Sequence, residues 1–99
     1  MSPQPYRISM SSAVRDQLVA VLIEADERGF GPRARAEALA LERALTWTPE
    51  IVAEPVYDLP TLGRVQVGSF GPIQLKIAVN DSRREVYVSW FRLRPTESA

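Results

Sequence analysis

Three basic residues, Arg64, Lys76 and Arg94, are the candidates for chemistry in this sequence of 99 residues. The chain contains no histidine and no cysteine, which removes the usual general base, disulfides and the commonest zinc ligands. Any catalysis must therefore use arginine, lysine, tyrosine or carboxylate side chains. Because the sequence contains no clustered set of carboxylates, we expect no metal and no other cofactor.

Positive charge is concentrated in the last third of the chain. Residues 63–99 carry six basic and three acidic side chains, whereas residues 1–62 carry six arginines and nine acids. Such an asymmetry is typical of proteins that bind nucleic acid or an acidic partner. Chance in a short chain of zero net charge explains it equally well, so both explanations stay open.

The three candidates lie in or beside segments that have the character of β-strands. Residues 64–67 and 72–79 alternate apolar and polar side chains, and residues 85–93 are rich in valine and aromatic residues. Glycines within 68–71 and the Asn-Asp-Ser sequence at 80–82 favour turns between these segments. Short links of this kind predict an antiparallel meander.

Two amphipathic helices are predicted upstream of the meander. Apolar stripes at helical spacing indicate helices over 13–28 and 33–48, which a short link joins into an antiparallel hairpin. A serine pair precedes the first helix as a cap, and Gly29 is placed to end it. A short strand is predicted ahead of the helices, over residues 5–10.

The order β-α-α-β-β-β predicts an α+β fold in which the helical hairpin covers one face of a four-stranded antiparallel sheet. Residues 49–62 contain three prolines and no clear period, so we expect a connector with at most a short helical turn. The chain, 1–99, is expected to form one domain with flexible tails at 1–4 and 95–99. The predicted core residues are Leu18, Val21, Leu22, Leu41, Leu45, Ile77, Val79, Val86 and Val88.

The uncovered face of the sheet is expected to carry one basic patch. Arg64 and Gln66 alternate onto one face of their strand, as Gln74 and Lys76 do on the neighbouring strand. Arg94 ends the strand beside them, so Arg64, Lys76 and Arg94 are predicted to lie together on the open side or rim. Solvated surface charge is the alternative for each of the three.

The aromatic residues near the ends of elements carry two further expectations. Trp90 and Phe91 are adjacent in the last strand, so they are expected to point to opposite faces, one into the core and the other onto an interface. Trp47, at the end of the second helix, is expected to cover the core.

Three segments carry a family resemblance: GRVQVG at 63–68, PIQLKIAVND at 72–81 and REVYVSWFRLR at 84–94. They resemble, in turn, the arginine-bearing strand, the central strand and the final strand of the RelE/ParE superfamily, the bacterial toxins of type II toxin–antitoxin systems. The predicted element order is also that of the superfamily. The resemblance implies a cognate antitoxin as partner and antitoxin docking as the reason for an exposed aromatic residue.

The resemblance also implies catalytic roles for Arg64, Lys76 and Arg94. RelE-like members cleave mRNA on the ribosome with basic groups and often a C-terminal tyrosine, whereas ParE-like members poison DNA gyrase. Arg64 and Arg94 match basic positions of the family, while Gln74 stands at an arginine position for which nearby Lys76 is the substitute. No tyrosine follows the last strand, and Tyr87 is expected to be packed. Ribonuclease activity therefore stays open.

The function predicted from this resemblance is a toxin-like component that acts on mRNA and the ribosome or on DNA gyrase, and that an antitoxin neutralises. The alternatives are a catalytically silent binding module and a small structural domain that shares only the architecture. No stretch approaches the roughly 20 apolar residues of a membrane span, and the N-terminus lacks the apolar run of a signal peptide. We therefore expect a cytoplasmic protein that contacts no membrane.

Overall fold

The computed structural model describes residues 4–52, 54–59 and 63–94, and the predicted tails lie outside these residues except for residue 4. Within these described residues, two α-helices and five strands follow one another. Their bounds are β1 (Arg7–Met10), α1 (Ser12–Glu27), α2 (Gly31–Trp47), β2 (Glu54–Leu59), β3 (Gly63–Phe70), β4 (Ile73–Asn80) and β5 (Glu85–Leu93), with a 3-10 turn at Pro49–Ile51.

The two helices begin and end as their sequences predict. The Ser11 hydroxyl oxygen accepts a hydrogen bond from the Val14 N–H at 3.2 Å, which satisfies one of the orphan donors of the first turn of α1. After α1 the chain reverses through Gly29, whose φ of 89° is unfavourable for any residue with a Cβ. A proline lies in the first turn of α2, where backbone N–H groups have no acceptor within the helix, so its missing N–H breaks no helical hydrogen bond.

The sheet confirms the predicted α+β class, with the helical hairpin packed on one face. Its strand order is β1-β5-β4-β3-β2, and β3, β4 and β5 form the predicted antiparallel meander. Two details of the prediction are wrong. The sheet has five strands rather than four, and β1 pairs with β5 in parallel. The whole helical hairpin lies between β1 and the meander in sequence, and such a crossover lets β1 run alongside β5.

The fifth strand, β2, occupies part of the predicted connector. It pairs antiparallel with β3 at the edge of the sheet, and its register shifts between Pro55 and Tyr57. An edge strand with a bulge is where the missing N–H of proline is tolerated. The prolines that argued against a strand in the sequence are therefore compatible with one at this edge.

One hydrophobic core lies between the hairpin and the sheet. Seven of the nine predicted core residues are buried, from Val21 of α1 to Val88 of β5, whereas Leu18 and Leu22 are half-buried. The prediction for Trp47 is wrong, because its side chain is 52% exposed at the end of α2. Val52, after the 3-10 turn, is buried in this core. The core fixes which face of each strand meets the helices.

Candidate functional site

Cross-strand register decides which of the predicted site residues share a face. β3 pairs with β4 so that Gln66 lies opposite Ile77 and Lys76 lies opposite Val67. Directly paired residues of an antiparallel ladder project to the same face. Gln66 therefore lies on the helix-covered side with the core residue Ile77, and Arg64, two residues earlier, lies on that side too. Lys76 lies on the open face.

The prediction that these residues form one basic patch on the open side or rim of the sheet is therefore wrong. The alternation within each strand was assigned correctly, but the link between the two strands is Gly71-Pro72, which is only two residues long. A two-residue turn pairs even-numbered positions of one strand with odd-numbered positions of the other. Arg64 and Lys76, which are both even, consequently point to opposite faces of the sheet.

Arg94 lies at the opposite end of the sheet from Arg64. Its N–H donates to the Pro72 carbonyl oxygen at 2.7 Å, at the end of the sheet where β4 begins. Arg64 pairs with Val79 near the end of β4, which is seven residues or about 24 Å further along the strand. The structure therefore does not bring the three predicted catalytic residues together in one patch.

Arg64 belongs instead to a hydrogen-bonded network at the rim of the covered face. Its Nη1 donates to Asp81 Oδ2 at 2.9 Å, and its Nε donates to Gln66 Oε1 at 2.7 Å. The Gln66 amide is 0% exposed and donates onward to the Pro49 carbonyl oxygen at 3.1 Å. The second Asp81 oxygen accepts from the Tyr6 hydroxyl at 2.6 Å. We call Tyr6, Arg64, Gln66 and Asp81 the rim network.

The rim network shifts the pKa values of Tyr6 and Asp81. The hydrogen bond to the Asp81 carboxylate, followed by burial, raises the pKa of Tyr6 above its usual range. The same hydrogen bond, with help from Arg64, lowers the pKa of Asp81 despite the opposing effect of desolvation. The Arg84 guanidinium lies 5.1 Å from the centre of the Tyr6 ring. These contacts commit the Arg64 guanidinium to structure.

The open face carries a different set of side chains, which the sequence did not single out together. Lys76 pairs with Trp90, and Gln74 pairs with Arg92. The Arg92 guanidinium lies 4.4 Å from the centre of the Trp90 ring, and its Nε donates to Gln74 Oε1 at 2.9 Å. Tyr87 lies on the same face with 41% of its surface exposed, so the prediction that it is packed is wrong. We call Gln74, Lys76, Tyr87, Trp90 and Arg92 the open-face cluster.

A bulge in β5 creates this cluster. Lys76 pairs with Trp90 but the next residue, Ile77, pairs with Val88, so Ser89 is the extra residue. An extra residue reverses the alternation and re-aims the side chains that follow it. Phe91 therefore enters the core at 5% exposure while Trp90 faces outward, which confirms that these neighbours lie on opposite faces. Single-strand alternation gives no signal for this bulge.

A second surface lies on the helix side of the molecule. An apolar groove of about 470 Å³ opens between the helical hairpin and the β1 side of the sheet. Its walls include Leu18 and Leu22 of α1, and Leu39 of α2 is 65% exposed beside it. Arg35, which pairs with Asp26, and Glu42 bring charge to its margin. The half-buried leucines of α1 are explained by this groove.

Within the part of the chain that the structure describes, no group of acidic side chains is arranged to hold a metal ion. Neither α1 nor α2, the two α-helices of the residues that the structure describes, has the length and hydropathy that a helix needs to cross a membrane.

Comparison with known proteins identifies the fold. No protein-family model matches the chain, and no curated protein matches it in sequence. Among solved structures, it is similar to one chain of the crystal structure of the toxin–antitoxin complex RelBE2 from Mycobacterium tuberculosis, with a TM-score of 0.58 and 19% sequence identity. The likeness covers 91% of this chain and 99% of that chain. Identity this low speaks for the fold alone, and we conclude that the protein shares the fold of that chain of the RelBE2 complex.

Proposed function

We propose that the protein is the toxin-like component of a type II toxin–antitoxin pair, and that an antitoxin neutralises it. The observation that carries this proposal is the shared fold with a chain of a toxin–antitoxin complex, over 91% of this chain. Fold alone does not fix function, so the two surfaces must supply the activities that the proposal needs. One surface has to bind an antitoxin, and another has to reach a cellular target.

The apolar groove supports the antitoxin partner. Its described lining is largely aliphatic, with Ile8 and Met10 of β1 on one side and Leu39 of α2 on the other. An amphipathic helix of a partner buries its apolar face in a groove of this kind. A charge introduced by Leu39→Glu should therefore weaken antitoxin binding without disturbing the fold, because this side chain is already mostly exposed.

The open-face cluster supports RNA, free or on the ribosome, as the target in preference to DNA gyrase. Lys76 and Arg92 supply positive charge for phosphates, and Trp90 and Tyr87 supply ring surfaces for bases. Glu85, an acid on the same face of β5, is paired with Arg7. These cationic and aromatic side chains match a polyanion with exposed bases.

Cleavage of that RNA is less well supported than binding. Arg64 is held in the rim network, Arg94 lies at the other end of the sheet, and Gln74 stands where the resemblance implies an arginine. Of the three proposed catalytic residues, Lys76 belongs to the open-face cluster. We therefore infer that the protein inhibits growth by binding RNA, and expect little mRNA cleavage on ribosomes. Readily detected cleavage would contradict this inference.

Induced expression in a bacterial host tests the proposal. The chain alone should arrest growth and reduce translation while leaving DNA supercoiling unchanged, and co-expression of its cognate antitoxin should restore growth. The double variant Lys76→Gln/Arg92→Gln should lose the arrest. A matched control, Arg33→Gln/Arg43→Gln, removes two exposed charges from α2 and should keep it. Equal arrest by both double variants would contradict the role of the open face.

A catalytically silent binding module is the second candidate. The observation that favours it is the pair of hydrogen bonds from Arg64 to Asp81 and Gln66. These bonds give a structural role to a residue for which the resemblance implies a catalytic one. This candidate predicts no growth arrest from the wild-type chain, together with tight binding of a partner helix in the apolar groove. Binding that is lost in Leu39→Glu, without any arrest by the wild type, would select it.

A further inference from the structure

We propose that Trp90, Arg92 and Tyr87 form a stacking platform for two unpaired bases of single-stranded RNA. The proposal deepens the proposed function and rests on it, since it assigns residues to the contact between the open face and its RNA target. The observation that carries it is the stacked pair of Arg92 and Trp90, with 4.4 Å between the guanidinium carbon and the ring centre. Guanidinium planes and aromatic rings are the surfaces on which proteins stack unpaired bases.

The pair is held in place before any ligand arrives. Arg92 is exposed, yet its Nε donates to the half-buried Gln74 at 2.9 Å, which restrains the guanidinium over the Trp90 ring. A solvated arginine on a flat sheet has no such restraint. Without it, the side chains of Arg92 and Trp90 would lose rotamer freedom when they bind a base. A planar surface that is ordered in advance reduces the entropy cost of stacking a base.

The β5 bulge brings the second ring onto the same face. In a strand of regular alternation, Tyr87 and Trp90, which are three residues apart, would point to opposite sides of the sheet; the bulge at Ser89 brings them onto one side. Their cross-strand partners, Ala78 and Lys76, are two residues apart on β4, so the two rings start from positions about 7 Å apart.

That separation is about twice the 3.4 Å rise between stacked bases within a strand. A duplex keeps its bases stacked at the smaller spacing, so it cannot lay successive bases on both surfaces. An extended single strand has the freedom to do so. The spacing therefore selects an unpaired RNA segment, with one base on the Trp90–Arg92 pair and the next on Tyr87.

Lys76 lies beside the platform and completes the contact. It pairs directly with Trp90 across the β4–β5 ladder, so its ammonium group projects from the same face as the ring. A strand whose bases lie on the two ring positions must carry its phosphates past this side chain. Lys76 and Arg92 then account for about two phosphate neutralisations, which predicts a slope of log affinity against log salt of roughly −1.4 for a single strand.

Tryptophan fluorescence of the full chain tests the platform. The sequence has two tryptophans, so Trp47→Phe leaves Trp90 as the reporter, and Trp47 is remote from β5 in sequence and exposed. Titration uses an unstructured RNA of about ten nucleotides, a length within the range that single-strand sites cover. The same sequence as duplex RNA and as single-stranded DNA provides the comparison.

We expect the single-stranded RNA to change Trp90 fluorescence and to bind most tightly. Trp90→Leu should weaken binding by roughly 5- to 150-fold, the loss of one stacked base, and Trp90→Phe should restore most of it. Arg92→Gln, at an exposed side chain, provides a variant that does not endanger the fold and should weaken binding too. Lys76→Gln should reduce the salt slope by about 0.7. Circular dichroism checks that each variant is folded.

Equal affinity for the duplex, tighter binding of the DNA, or unchanged affinity in both Trp90→Leu and Arg92→Gln would overturn the platform. The result is separable from the proposed function. Growth arrest by a wild-type chain that binds no RNA would overturn the platform and leave the toxin proposal standing. Binding through Trp90 without growth arrest would leave the platform standing and overturn the toxin proposal.

Discussion

Replacing Gln66 with methionine tests the register on which the assignment of the faces depends. The side chains have similar length, so the change removes hydrogen bonds and leaves the volume of the site nearly filled. The Gln66 amide donates to the Pro49 carbonyl, and its oxygen accepts from Arg64 Nε. Both bonds are lost in Gln66→Met, in a position that water does not reach.

The expected cost follows from these contacts. A typical hydrogen bond contributes about 1 kcal/mol, and one from a charged donor about 1.5–3 kcal/mol. Three features reduce the total. The Pro49 carbonyl keeps a bond from the Val52 N–H, Arg64 keeps Asp81, and the thioether gains from burial. We expect the free energy of unfolding to fall by about 1–3 kcal/mol, which for a domain of this size lowers Tm by roughly 5–20 °C.

The matched control is the same substitution at Gln74. This glutamine lies on the open face, and its oxygen accepts from the exposed Arg92, so Gln74→Met should change the free energy of unfolding by no more than about 0.5 kcal/mol. Urea denaturation of the two variants and the wild type, with a common m-value, measures the difference. Equal costs, or a larger cost at Gln74, would refute the register and with it the division of Arg64 and Lys76 between two faces.

Three further predictions concern the same fold. Tyr6→Phe should lower the free energy of unfolding by about 1 kcal/mol at neutral pH. Because the lowered pKa of Asp81 adds stability that is lost as pH falls through the folded-state value, this cost should shrink below about pH 4, as denaturation at pH 7 and pH 3 would measure. Leu41→Ala should cost about 2–5 kcal/mol by the same assay, since Leu41 is buried; under 1 kcal/mol would mean its site is misassigned. Gly63→Ala should be more destabilising in thermal melts than Gly29→Ala. Both have positive φ, but a Cβ at Gly63 would also lie 2.1 Å from a backbone oxygen, whereas Gly29 faces open space; equal melting temperatures would contradict this.

Much of the fold could be predicted from local patterns along the sequence. The helical stripe of α2 predicted Leu41 and Leu45 in the core, and the glycine after α1 marked its end, because periodicity and backbone conformation are local properties. The alternation of β4 correctly separated Ile77 from Lys76. The edge strand β2 was missed, since prolines count against a strand unless its outer edge is known to be unpaired.

The candidate site was decided by relations between strands. Whether Lys76 and Arg64 share a face depends on whether the turn at Gly71-Pro72 holds an even or an odd number of residues. The face to which Trp90 points depends on one extra residue in β5. Neither leaves a trace in the alternation of a single strand. Local sequence patterns were enough to predict both helices, the strands β1, β3, β4 and β5, their order, and the basic character of the last third. Only the tertiary structure decided that Arg64 supports the fold while Lys76 joins Trp90 and Arg92, because hydrogen-bonded register, not spacing along the chain, assigns side chains to faces.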